Sequence, residues 1–211
     1  MVKGTIQAVK FFVDRNAIID FVQRLRTEFK RPGRLFLIGE TSQVLEGWRD
    51  RADEITFTAQ IASKDRPAFV SAVENVQNEL GIELVEEHPG DLIPLPAGFQ
   101  TRAHRVSAKK LPANNPAVRE SHLKVYHFDP YSVSFRYIAR GDEPDYHIVL
   151  YYLQHGWVTM EKMESMLEKL LPEFSLATIA QDPAEFRRKY KGLQQMWRAI
   201  SAGVTHRPTS A

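Results

Sequence analysis

EITFTAQI, residues 54–61, alternates without a break between polar and apolar side chains. Successive side chains of an extended chain point to opposite faces. Ile55, Phe57, Ala59 and Ile61 therefore share one face, and Glu54, Thr56, Thr58 and Gln60 the other. The spacing predicts a strand buried on one side.

On its N-terminal side, Asp14 caps a helix whose Ile18, Val22, Leu25 and Phe29 recur at the spacing of one buried face. Arg31-Pro32-Gly33 stops that helix, LFLI at 35–38 reads as a short buried strand, and Gly39-Glu40-Thr41-Ser42 forms a strand-to-helix turn. A short helix through Val44, Leu45 and Trp48 follows. On the C-terminal side, a helix from about Arg66 to Leu80 carries Phe69, Val73, Val76 and Leu80, and ends at Gly81. Residues 82–85 and 123–128 read as further strands. Between them, 87–120 is rich in proline and polar residues and predicts loop, with a strand near Arg102–Val106. The segments 131–140, 144–154, 159–171 and 183–202 read as helices, and Met163, Met166, Leu167 and Leu170 line one face of the third. The order is mixed α/β first, then all helical.

The 211 residues are 43% apolar and 26% charged, ordinary for a chain that buries a core. Lys+Arg 28 against Asp+Glu 26 leaves +2, too little for nucleic-acid binding by bulk electrostatics. The absence of cysteine excludes disulfides, thiolate zinc sites and cysteine catalysis. No apolar run approaches the roughly 20 residues of a membrane helix, and MVKGTIQAVKFFVDRN does not read as a secretory signal. The expectation is a cytoplasmic protein with no membrane partner, ending in a flexible tail at 205–211.

Neither GxxxxGK[ST] nor GxGxxG is present. His122, His127, His147 and His155 lack metal-ligand spacing. RGDEPDYH at 140–147 fits the short Arg-to-His spacing of some helical ribonucleases, with Arg140 and His147 as the pair. Basic runs occur at RLRTEFKRPGR (24–34) and FRRKYKG (186–192), where a solvated face is the simpler reading.

Taken in order, the strand ending GETS (39–42), the strand EITF (54–57), IPLPAGFQTR (93–102) and LKVYHFD (123–129) form a recognisable series. It resembles the nucleotidyltransferase-like family related to the AbiEii-type toxins, over about Arg34 to Phe174. The proline box and YHFDPYSVSFRYIARGDEPD are the most specific parts. The resemblance implies an α/β (α+β) fold, a mixed sheet flanked by helices with a C-terminal helical bundle. It implies a core at 1–130 and a helical region at 131–204. It also implies nucleotidyl transfer from a nucleoside triphosphate, with carboxylates on strand ends holding Mg²⁺ and a glycine turn admitting the phosphates.

This chain departs from that pattern at the positions the chemistry needs. Glu40 stands where the family has a second glycine, and Glu54 and Thr56 where it has two aspartates. Lys124 replaces the third carboxylate, and Tyr137 a lysine of the following helix. The expected protein is a degenerate member that binds a partner (protein, nucleotide or RNA) without turning it over, in a toxin–antitoxin or defence setting. It needs no cofactor and has no metal ligands. Gly39, Glu40, Thr41 and Ser42 are then a vestigial phosphate turn, and Glu54, Thr56, Lys124 and Asp129 the remnants of a catalytic set. The alternative is an active nucleotidyltransferase in which Glu40, Glu54 and Asp129 hold Mg²⁺ for a nucleoside triphosphate. The ribonuclease is a third reading. In the first, Lys124 is expected to pair with Glu54 or Glu40 in place of the metal. Pro94 and Pro96 are expected to hold the proline box extended as scaffold, with Gly98 turning the chain.

Overall fold

The computed structural model describes residues 12–112, 116–175 and 181–204. The tail expected at 205–211 lies outside them. The elements follow the order α1 (Arg15–Glu28), β1 (Gly33–Leu37), α2 (Gly39–Glu46), β2 (Ile55–Ile61), α3 (Arg66–Leu80), β3 (Leu84–Glu86), β4 (His104–Arg105), α4 (Pro116–Arg119), β5 (Leu123–His127), α5 (Pro130–Arg140), α6 (Glu143–Gln154), α7 (Met160–Leu170) and α8 (Pro183–Val204). The fold is α+β, with a five-stranded sheet in the order β3-β2-β1-β5-β4. The sheet is mixed, since β1 and β2 are antiparallel while β2 and β3 are parallel.

Two compact units divide the described residues: 12–87 with those of Arg105–Tyr126, and His88–His104 with those from His127 onward. The proline box therefore groups with the C-terminal helices.

In the first unit the alternation of β2 sets the core. Leu35 pairs with Ala59 and Leu37 with Phe57, so the apolar side chains of both strands share one face. Arg34 and Phe36 share the other with Gln60 and Thr58. Phe57 is fully buried, with the ring of Phe21 from α1 at 5.6 Å and that of Phe69 from α3 at 6.4 Å. Phe69 also meets Phe29 edge-on at 5.2 Å, so the two helices close over the sheet as one apolar layer. Asp14 caps α1 by accepting from the Ala17 N–H at 2.8 Å. The predicted stripe Ile18, Val22, Leu25 and Phe29 is buried throughout.

The second unit is held by α5–α8. Val133, Phe135, Ile138, Val149, Met163 and Phe186 are buried, and Phe186 meets Phe174 at 5.2 Å and Phe135 at 6.2 Å. Met163, Leu167 and Leu170 face this core as the periodicity requires. All described structure beyond Pro130 is helix or connection.

Several boundaries differ from the sequence expectation. The helix after β1 stops at Glu46 because Gly47, at φ 82°, turns the chain, so Trp48 lies beyond it. Residues 82–83 precede β3 rather than belonging to it. The strand expected near Arg102–Val106 shrinks to two residues after a 3₁₀ turn at Phe99–Arg102, and the one-turn α4 stands in the expected loop. A Phe57→Ala substitution removes the ring between both helices and the sheet. It is expected to lower unfolding free energy by about 3–5 kcal/mol in urea denaturation; a loss under about 1 kcal/mol contradicts this core.

Candidate functional site

The Gly39–Ser42 segment is the first turn of α2, entered through Gly39 at φ 55°. Thr41 and Ser42 are buried. Ser42 Oγ donates to the Leu37 carbonyl at 3.0 Å, closing the strand-to-helix turn. Thr41 Oγ1 accepts from the Thr56 N–H at 2.8 Å, and the Ile38 N–H donates to the Thr56 carbonyl at 3.0 Å. The turn is thus bolted to β2 through both backbone groups of Thr56. Glu40 forms an ion pair with Arg49 at 2.8 Å. Thr56 Oγ1 donates to Glu54 Oε1 at 3.2 Å, confirming that the two side chains share a side.

Lys124 does not join them. Strand β1 lies between β5 and β2. The Gly33 N–H donates to the His122 carbonyl at 3.5 Å, and Gly33 pairs with Ile61. Lys124 thus sits near the Ile61 end of β2, while Glu54 precedes Ile55 at the other end, roughly 20 Å away at the rise of a strand. The expected ion pair with Glu54 or Glu40 is not formed, because the sheet order separates positions that the sequence series placed side by side.

Asp129 is fully buried and fully employed. Arg102 forks onto it, Nε to Oδ1 at 2.9 Å and Nη2 to Oδ2 at 2.7 Å. The same carboxylate caps α5, accepting from the Tyr131 and Ser132 N–H groups at 3.3 Å and from Ser132 Oγ at 2.7 Å. Arg102 also donates to the carbonyls of Ala97 at 2.7 Å and Pro96 at 3.2 Å. It thereby joins the proline box to the HFDPYS segment, the two most specific parts of the sequence series. Gly98 turns the chain there at φ 76°, where a side chain is strained. Ile93 is buried, and Phe99 stacks on Phe128 at 5.9 Å, in keeping with scaffold.

The remaining polar candidates are also anchored. Arg140 approaches the buried Asp145 at 3.1 Å and lies over the Tyr137 ring, while His147 is exposed on α6. His127 is buried against Trp157 at 4.9 Å between centroids. Among the described residues no group of three or more His, Asp or Glu side chains is placed to hold a metal ion.

The feature that the sequence did not reveal lies at the edge of β5. There Arg26 Nε donates to the Leu123 carbonyl at 3.3 Å. A cleft of 580 Å³ opens at this point, with Arg26, Arg105, Arg119 and Lys124 in its walls, together with Ser107 and Ser121. Leu111, Val118, Leu123 and Val125 give it an apolar floor, and no carboxylate lines it among the described residues. Burial, and then the neighbouring Arg105 charge, push the Arg26 guanidinium below its ordinary pKa. A second cleft of 390 Å³ shares Lys124 and adds Arg34, Gln60 and His122.

The basic runs of the sequence divide on inspection. Arg24 pairs with Glu79 and Arg31 with Asp65, whereas Arg26 and Arg34 line the clefts. In the second run, Arg187 pairs with Glu168, and Arg188 and Lys189 share Glu185.

The fold and these sites describe an α+β protein with a buried polar brace at the head of α2 and a basic cleft at one sheet edge. Comparisons with protein-family models, curated proteins and solved structures find no match. No helix among the described residues is long and apolar enough to cross a membrane. An Asp129→Ala substitution leaves Arg102 without its buried counter-charge and is expected to cost about 3–5 kcal/mol in chemical denaturation. A loss below about 1 kcal/mol would mean that the fork is not what joins the two segments.

Proposed function

We propose that the chain is a non-catalytic binding protein built on a nucleotidyltransferase-like scaffold. The observation that carries this reading is the brace between Thr41 and Thr56. A phosphate turn needs open donors and room for the ligand's oxygens. Here the Thr41 hydroxyl serves a backbone N–H, the Ser42 hydroxyl a carbonyl, and Glu40 brings a carboxylate to the turn. The carboxylates of the active alternative are committed as well: Glu40 to Arg49, and Asp129 to Arg102 and the start of α5. A metal held by either would displace a guanidinium from its carboxylate. What survives from the family pattern is what holds the chain together, and the partner binds elsewhere.

Calorimetric titration with ATP, with and without Mg²⁺, tests the reading. No Mg²⁺-dependent heat and no transfer of labelled nucleotide are expected, and either one contradicts the proposal. A Thr41→Val substitution separates the roles further. As a brace, Thr41 leaves the buried Thr56 N–H unsatisfied when removed, costing about 1–3 kcal/mol of stability. As part of a phosphate turn, its loss would weaken ATP binding while stability held.

A further inference from the structure

We propose that the cleft beside β5 binds the sugar–phosphate backbone of a single-stranded nucleic acid, which passes from Arg26 over Lys124 toward Arg34. This deepens the binding reading above by naming the chemistry of the partner, but its support is the cleft alone.

The first support is a concentration of cations. Four cationic side chains converge on one 580 Å³ space that no carboxylate lines. Arg105, Lys124 and Arg34 have no carboxylate partner among the described residues. Among the other cations of the same unit, Arg24, Arg31, Arg49, Arg66 and Lys110 each meet a glutamate or aspartate. Arg26 is held beside Arg105 with part of its hydration removed, an arrangement that an anion relieves. Net charge near zero does not oppose this, because steering depends on the local field.

The second support is shape. Two clefts follow one another and share Lys124, so a ligand with one anion would use only part of the surface. A chain of phosphates places a charge in each. The hydroxyls of Ser107 and Ser121 add donors for phosphate oxygens, and the apolar floor suits sugar and base edges. Beyond Arg34, whose guanidinium lies 6.0 Å from the Tyr126 ring centroid, Tyr126 and Phe36 form a half-buried stacked pair at 5.5 Å. Such rings are stacking partners for unpaired bases. The path is bounded on one side: past Val118 the next groove is lined by Asp20, Glu28 and the Arg24–Glu79 pair, a net negative set that opposes a polyanion.

Fluorescence anisotropy of a labelled oligouridylate ten-mer with the full chain tests the proposal. With three or four phosphates engaged, raising salt from about 50 to about 200 mM is expected to weaken binding about 20–50-fold. Arg105→Glu and Lys124→Glu, both at exposed positions, are each expected to weaken it at least about fivefold and to flatten the salt dependence. Lys191→Glu on α8, far from any residue of the clefts in sequence and in the other unit, is expected to leave it unchanged. Circular dichroism melts matching the unaltered chain show that the variants fold. No binding at low salt overturns the proposal, as does binding indifferent to both cleft variants. Displacement of the ten-mer by AMP at equal concentration overturns the strand in favour of a lone phosphate, and equal binding of an oligo-aspartate probe overturns nucleic acid altogether. Mg²⁺-dependent ATP binding with the oligomer result intact removes the non-catalytic reading alone, whereas loss of the oligomer result without ATP binding removes the cleft alone.

Discussion

Pairing of Leu37 with Phe57 across β1 and β2 fixes everything that follows in the first unit. The side-chain period of a strand is two, so a slip by one residue would turn Phe57 out of the core and Thr56 or Thr58 into it. The aromatic contacts with Phe21 and Phe69 make that slip expensive, since a buried ring contributes several kcal/mol. With the register set, Thr56 is held against Ile38 and Thr41, and the start of α2 is locked to β2. The same register carries Gln60 and Arg34 to the far end, where the sheet edge is basic and open. A single packing constraint thus separates a closed polar end from an open one.

At the head of α2 the polar side chains are satisfied within the protein. A buried hydroxyl or carboxylate costs free energy unless it is hydrogen-bonded. In a nucleotide-binding site part of that demand is met by ligand and metal. Here Thr41, Ser42 and Glu40 meet it with protein partners. Within the second unit, the Asp129 carboxylate both neutralises the Arg102 guanidinium and caps α5. Residues with two such structural duties are costly to replace, and both the proline box and HFDPYS hang on this one fork.

Much of the fold was legible in the sequence. The alternation in residues 54–61 and the stripes Ile18–Phe29 and Met163–Leu170 located strands and helices, because periodicity reports directly on which face is buried. Boundaries at Gly47 and at β4 were less legible, since they depend on a single left-handed residue and on the length of a partner strand. The candidate site was read only in part. Gly39, Thr41, Ser42, Glu54 and Thr56 do come together, but Lys124 was placed wrongly because the sequence does not state that β1 separates β5 from β2. The basic cleft was invisible for a related reason. Its cations come from α1, β4, α4 and β5, and the run at 24–34 mixes Arg26 and Arg34 with neighbours that are internally paired.

The central claim is that the head of α2 is a self-satisfied brace rather than a seat for metal and nucleotide. Paramagnetic broadening of the assigned backbone amides during titration with Mn²⁺, in the presence of ATP, tests it at the atoms concerned. The account predicts that the amides of Gly39, Glu40, Thr41, Ser42 and Thr56 broaden no more than surface amides across the chain. Selective loss of those five signals at stoichiometric Mn²⁺ would contradict it.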